Sequence, residues 1–227
     1  MIKRAPRPSD KIPRRVCVVI LCIPPPQTTQ ARHFSHGDNE MNRKHVIMGI
    51  DPGPETHGVV VYDSTARRVL WSRKASPTWE VIAVAVEHNV GRIVIERPAA
   101  MGAIGPGIVG HMLDTAWEAG RLSCMLTGQG DVHTITRREV LRHLGVLSGT
   151  GSADSRVRRA CIADHETPGG PPAVGRKATP GPLYGVSSHA WQALGAVLAW
   201  LEMLHHNEAA EIDYRMRDSE AWLETQP

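Results

Sequence analysis

The sequence of 227 residues is poor in aromatic residues, in paired cysteines and in long apolar runs. Aromatic residues make up only 4% of the chain, so a core must be built from aliphatic side chains. The four cysteines form no CxxC pair, which argues against a zinc module and favours free thiols in a reducing cytoplasm. They are Cys17, Cys22, Cys124 and Cys161. No apolar run reaches the ~20 residues of a membrane-spanning helix.

Excess positive charge is confined to the N-terminal part of the chain. Residues 1–45 contain nine Lys and Arg against three Asp and Glu, whereas the rest contains 17 against 20. Residues 1–44 are interpreted as a disordered basic extension, as a signal peptide with a short apolar run, or as sequence upstream of a true start at Met41. Residues 207–227 form an acidic C-terminal tail. DNA binding by the domain between them therefore requires a local basic patch.

Apolar runs and helical spacing alternate along residues 45–206. Strands are predicted at 45–50, 58–63, 68–73 and 92–96, and helices over 77–88, 109–119, 137–144, 155–165 and 187–206. The segments LSCMLTG (122–128) and VHTIT (132–136) are predicted to supply a fifth strand or its edges, and 167–186 a Pro/Gly-rich loop. An antiparallel meander of three strands, extended by parallel strands through helical crossovers, gives a mixed five-stranded α/β sheet flanked by helices.

Two carboxylates follow predicted buried strands. Asp51 ends the first strand and Glu96 ends the fourth. Sites in open α/β sheets form beyond the carboxyl ends of the strands, and two neighbouring carboxylates tolerate each other when a divalent cation lies between them. The alternative is that both acids merely end their strands at the surface.

Four motifs in order resemble the RuvC-type Holliday junction resolvases of the RNase H-like superfamily. They are GIDPGPETHG, IVIERP, VHTITRREVLRHLGVLSGTGSADSRVRRA and SSHAWQALGAVLAW, and the resemblance covers most of residues 45–204. Divergence from the cellular pattern suggests a phage-type relative. The resemblance implies an RNase H-like nuclease domain that hydrolyses branched DNA as a homodimer. The amphipathic helix over 109–119 is a plausible interface, and a core helix is its alternative.

The resemblance also implies a catalytic centre with two Mg²⁺ or Mn²⁺ ions. Its ligands would be Asp51, Glu96, His189 and Gln192, of which the first three are catalytic. Gln192 stands where the family has an acid, so metal affinity there is expected to fall. His189 as a cap residue and Gln192 as a surface amide are the alternatives, and Asp164 or Glu166 are possible substitute acids.

A basic stretch between residues 137 and 159 supplies the local patch, and an ordinary solvated helix face is its alternative. Arginine binds phosphate bidentately, and glycine lets backbone amides approach a phosphate. The predicted DNA-binding residues are Arg97, Arg137, Arg138, Arg142, Gly149, Gly151, Arg156, Arg158 and Arg159. The family's aromatic wedge is replaced by Ala99, with Met101 as a substitute, which favours a broader preference for branched DNA. Trp117 and Trp191 are expected to pack rather than stack on bases.

Two other functions stay open. GIDPGPETHG also resembles the phosphate-binding turn of sugar kinases and actin-like ATPases, but 227 residues barely allow the second half that those proteins need. A catalytically impaired protein that only binds junction DNA is the second alternative, and Gln192 is the residue that favours it.

Overall fold

The computed structural model describes residues 45–98 and 106–224 of the chain. The main sheet contains β1 (Val46–Asp51), β2 (His57–Asp63), β3 (Arg68–Ser76), β4 (Arg92–Arg97) and β5 (Asp131–Thr136). The helices are α1 (Thr78–Glu87), α2 (Pro106–Leu126), α3 (Arg137–His143), α4 (Ala153–His165) and α5 (Ala190–Glu224). A small hairpin of β6 (Gly175–Arg176) and β7 (Thr179–Pro180) lies in the segment predicted as a loop.

The five strands lie in the order β3-β2-β1-β4-β5. β1, β2 and β3 form an antiparallel meander, whereas β4 pairs parallel with β1 and β5 pairs parallel with β4. The predicted mixed sheet is therefore confirmed, including the contact between the first and fourth strands. This contact matters because it places the ends of β1 and β4 side by side.

Each face of the sheet carries its own apolar core, as the period-two alternation of strands requires. On one face, Ile47, Val60 and Val94 pack with α3, α4 and the first turns of α5. On the other face, Met48 and Ile95 pack with α1 and α2. Side chains at odd positions of β1 and even positions of β4 thus point toward α5.

Several predicted boundaries need correction. LSCMLTG is not a strand, because residues up to Leu126 complete α2, with Leu122 and Leu126 buried one helical turn apart. The last helix continues to Glu224, through most of the predicted acidic tail. Trp191 is buried as expected, but Trp117 is 73% exposed, so the expected packing of Trp117 is wrong within the described chain.

Other predictions concern single residues. The described cysteines, Cys124 and Cys161, are both free thiols, as expected. In the described ranges, no helix has the length and apolar character needed to cross a membrane. Residues 1–44 and the predicted wedge positions Ala99 and Met101 lie outside the described residues.

Candidate functional site

Asp51 and Glu96 lie next to each other at the carboxyl ends of two parallel strands. Ile50 of β1 pairs with Ile95 of β4, so the residue after each one occupies the next position of the ladder. Both acids have the strand parity that points toward α5. Glu96 is only 7% exposed, and the side chain of Asp51 is 20% exposed. The two acids therefore lie at an edge of the sheet that is largely shielded from solvent. The alternative that both acids merely end their strands at the surface does not describe Glu96.

The start of α5 packs closely on β1 and β2 at two glycines, one in each strand. A Cβ at Gly58 would lie 2.6 Å from the carbonyl carbon of His189, and one at Gly49 would lie 2.2 Å from the carbonyl oxygen of Ala193. The backbones can therefore approach this closely only because both residues lack a side chain. Ser188 adopts φ 46°, an uncommon conformation for a non-glycine residue, directly before His189.

His189 is brought to Asp51 by this close approach. Its Nδ1 lies 3.1 Å from Oδ2 of Asp51. Since a carboxylate only accepts hydrogen bonds, Nδ1 carries the proton of this contact, and in the neutral ring Nε2 carries the lone pair. The imidazole remains 68% exposed, so Nε2 is accessible to a ligand or a water molecule.

Arg137 lies between Glu96 and α5. Thr136 and Glu139 form a capping box, which makes Arg137 the first residue of α3, just beyond the end of β5. Its Nη1 donates to Oε1 of Gln192 at 2.6 Å and lies 3.3 and 3.4 Å from the two carboxylate oxygens of Glu96. Its Nη2 donates to the carboxylate of Asp154 at the start of α4. One guanidinium thus joins β4, α4 and α5.

The electrostatics of the two acids follow from their burial. Desolvation raises the pKa of Glu96 to about 7, with a further contribution from the negative charge of Asp51, although the guanidinium of Arg137 opposes it. Burial also raises the pKa of Asp51, and the charge of His189 and its hydrogen bond act in the opposite direction. Both carboxyl groups therefore hold a proton more readily than exposed acids do, unless a cation binds them.

The carboxylate oxygens of Asp51 and Glu96 are the type of donor atom that a divalent cation prefers. Carboxylate oxygens suit Mg²⁺ and Mn²⁺, and Mg²⁺ commonly binds through one or two carboxylates while keeping several waters. Two of the four predicted ligands, Glu96 and Gln192, accept hydrogen bonds from Arg137. In the described part of the chain, no three His, Cys, Asp or Glu side chains form a group that could hold a metal ion. Asp164, one suggested substitute acid, instead pairs with Arg67.

Apart from Arg137, whose guanidinium already contacts Glu96, Gln192 and Asp154, the predicted DNA-binding arginines fall into two groups. Arg156 and Arg159 bind loop carbonyls, with distances of 2.8 Å to Gly151 and 2.6 Å to Thr150 respectively, so they stabilise the turn before α4. In this turn Gly149 and Gly151 adopt φ of 132° and 87°, which favour glycine. The others lie at the surface, where Arg158 covers the ring of Trp191. Exposed members of this second group are Arg97, Arg138, Arg142 and Arg158.

A groove of about 480 Å³ opens beside His189, between α4 and the start of α5. Its lining includes Ser187, Ser188, His189 and Gln192 from one side and Asp154 and Arg158 from the other. The groove therefore connects His189 and Gln192, two of the predicted ligands, with the exposed Arg158.

Two features of the site were missed by sequence reasoning. The first is the pair of contacts that Arg137 makes with Glu96 and Gln192, which are separated from it by 41 and 55 positions in the sequence. The only sequence signal for these contacts was the neutral Gln192 at a position expected to be acidic. The second feature is His57, which is fully buried. Its Nδ1 accepts from the amide of Gly53 at 3.4 Å, and its Nε2 lies 3.1 Å from Oγ1 of Thr78. This imidazole links the turn after Asp51 to α1.

No protein-family model matches the chain, and no curated protein matches it. Solved structures do: RuvC of Thermus thermophilus in complex with a Holliday junction substrate is 18% identical, with 71% of this chain and 95% of that chain covered and a TM-score of 0.45. A second structure of T. thermophilus RuvC is 19% identical, with 71% and 96% covered and a TM-score of 0.41. By its strand order and directions, the chain has the mixed five-stranded sheet of the RNase H-like fold.

Proposed function

We propose that this chain is a divalent-metal-dependent endodeoxyribonuclease that cleaves four-way junctions or other branched DNA. The observation that carries the proposal is the pair Asp51 and Glu96 at the ends of neighbouring parallel strands, with His189 hydrogen-bonded to Asp51. The ordered sequence motifs of the RuvC-type resolvases support the choice of branched DNA as substrate.

In this proposal Asp51 and Glu96 hold the metal ion. When bound, a divalent ion supplies a Lewis acid for a phosphate oxygen and makes a water molecule more acidic. Glu96 must release its proton for this purpose, and its raised pKa makes that release dependent on pH near neutrality.

In this proposal His189 accepts a proton during cleavage. Asp51 fixes the tautomer in which Nε2 has the lone pair, so Nε2 can accept the proton of a water that attacks phosphorus. The bond between phosphorus and the 3′ oxygen breaks, which leaves a 5′-phosphate and a 3′-hydroxyl whose proton comes from solvent. The same nitrogen is the one that would bind a metal ion if His189 serves as a ligand.

The exposed arginines contact the DNA backbone in this proposal. Arg97 is next to Glu96, and Arg138 and Arg142 lie on α3. Their charges would attract phosphate independently of base sequence, as expected for an enzyme that recognises the shape of its substrate. Arg156 and Arg159, through their carbonyl contacts, hold Gly149 and Gly151 at the start of α4, where backbone amides could meet a phosphate.

The proposal includes a homodimer, because symmetric cleavage of a four-way junction requires two sites. The support is an apolar stripe on α2 with four-residue spacing, at Val109, Leu113 and Trp117, whose exposed fractions are 43%, 65% and 73%.

A second function is favoured by one observation. Arg137 already neutralises Glu96 and occupies the carbonyl oxygen of Gln192, which suits a protein that binds junctions without cleaving them. Such a protein would bind equally well with and without a divalent ion.

The test uses the full chain with a labelled four-way junction, a fork and a plain duplex, each with Mg²⁺, Mn²⁺ or EDTA. Cleavage of branched DNA only with a divalent ion, lost in Asp51→Asn and Glu96→Gln, is expected. The matched control is Asp131→Asn, since Asp131 is an exposed acid at the opposite end of β5. Junction binding without cleavage under every condition would leave the binding protein as the function.

A further inference from the structure

The guanidinium of Arg137 lies within the group of residues predicted to bind metal. Its side chain is only 15% exposed, and it contacts Glu96, Gln192 and Asp154 at once. These partners come from β4, α5 and α4, so the contact fixes the three elements relative to one another. Arg138, the next residue, is exposed.

The three partners of Arg137 all direct acceptor oxygens at one point, which is the arrangement that surrounds a positive charge. Glu96 and Asp154 each contribute a negative charge, and Gln192 turns its carbonyl oxygen, not its amide nitrogen, toward the guanidinium. Gln192 is 6% exposed, so this oxygen has exchanged water for Arg137. A metal ion at the same place would compete with a group that is always charged.

The charges of the site lead to the same result. Asp51, Glu96 and Asp154 sum to three negative charges when ionised, and Arg137 returns one positive charge. The net negative charge that remains is balanced by one divalent ion, whereas two divalent ions would give the site a net positive charge. A neutral residue at position 192 keeps this balance, because an aspartate there would add a further negative charge.

We propose that Arg137 replaces the second cation of the site, so that this chain binds a single divalent ion, at Asp51 and Glu96. Gln192 then accepts a hydrogen bond from the guanidinium. The loss of the acid expected at position 192 is thereby matched by the loss of the ion that this acid would have bound. This inference rests on the proposed nuclease function for the role of the ion, but the number of ions bound can be counted without DNA.

The experiment counts Mn²⁺ ions bound by the full chain, from the electron paramagnetic resonance signal of free Mn²⁺ during a titration. The wild type is expected to bind one ion, and Asp51→Asn none. Arg137→Gln combined with Gln192→Asp is expected to bind two ions. Gln192→Asp alone is expected to remain at one, because Arg137 still occupies the position. Arg68→Gln, which removes an exposed arginine on β3, is the charge-matched control and should bind one ion.

Two ions or none in the wild type would overturn the inference. So would two ions in Gln192→Asp with Arg137 intact, a result that does not depend on whether the double variant folds. A double variant that keeps the wild-type circular dichroism spectrum and binds only one ion would also contradict it. A chain that binds one ion but cleaves no DNA would refute the nuclease function and leave the assignment of Arg137 standing.

Discussion

The Nδ1 nitrogen of His189 lies 3.1 Å from Oδ2 of Asp51, although 138 positions separate the two residues in the chain. The contact joins the last residue of β1 to the residue before α5. It depends on Gly58, whose missing side chain lets the backbone of His189 lie against β2. The position of the imidazole is therefore set by the packing of a helix on a sheet and not by a loop alone.

Gly58→Ala tests this packing. The added methyl group would meet backbone atoms of His189 at 2.6 Å, so α5 must shift. We expect the free energy of unfolding to fall by about 1–3 kcal/mol, as for other overpacked cores. Gly120→Ala is the matched control, because a Cβ there meets nothing within 4 Å and alanine favours a helix by about 0.5–1 kcal/mol. Urea unfolding of both variants measures the difference, and equal stabilities would contradict the role given to Gly58.

Sequence patterns predict this fold well where burial is uniform. β1, β2 and β4 are continuous apolar runs because both faces of the central strands are covered, and Asp51 and Glu96 stand out as polar residues at their ends. The prediction of a strand for the segment LSCMLTG was wrong, because a short apolar run is compatible with a strand as well as with the buried end of a helix. Only its register on the face of α2, with Leu122 and Leu126 buried, decides between them.

The environment of Arg137 could not be predicted in the same way. An arginine in a basic stretch has the same sequence signal whether it contacts phosphate or a buried carboxylate. The outcome depends on the parallel pairing of Glu96 with Ile135, which places the first residue of α3 near the end of β4. Such long-range pairing sets side-chain partners that local patterns do not contain.

The pH dependence of stability provides a test of the environment of Glu96. Burial raises its pKa from an ordinary 4.5 to about 7, so the folded chain holds this proton more tightly than the unfolded chain. The resulting stabilisation is complete below about pH 4.5 and is lost as the pH rises through 7. We expect this group to contribute roughly 2–3 kcal/mol to the decrease between those limits.

Urea unfolding in EDTA at several pH values from 5 to 8 measures this decrease. Glu96→Gln cannot ionise and should show a flatter profile than the wild type. Glu87→Gln removes an exposed acid on α1 and should keep the wild-type profile. Parallel profiles for Glu96→Gln and the wild type would mean that Glu96 titrates as an ordinary acid.

The salt dependence of junction binding tests the exposed arginines. Arg138→Gln and Arg142→Gln are each expected to reduce the slope of log K against log salt by about one, because each removes about one phosphate contact. The measurement is fluorescence anisotropy with a four-way junction in EDTA at several salt concentrations. Arg68→Gln changes the net charge equally but lies on the edge strand β3, and its slope should match the wild type. Unchanged slopes in all three variants would support the solvated-face alternative.

Trp117→Glu tests the proposed dimer. A charge at Trp117, the most exposed residue of the apolar stripe on α2, should shift the chain to a monomer in sedimentation velocity, because an unpaired charge is costly at an apolar interface. Tyr184→Glu places the same charge on another exposed aromatic residue, in the loop before α5, and should leave the association unchanged. A monomeric wild type at micromolar concentration would rule out this use of the stripe.

His189 can be tested with two substitutions that separate its ring nitrogens. The amide nitrogen of His189→Asn can still donate to Asp51 in place of Nδ1, but nothing replaces Nε2, and His189→Ala loses both. If Nε2 accepts a proton or binds the ion, both variants should lose about 100-fold or more in the single-turnover cleavage rate. If the imidazole only orients Asp51, asparagine should restore most of the activity that alanine loses. Comparable losses, with junction affinity in EDTA unchanged, would place the contribution of His189 at Nε2 and in the chemical step.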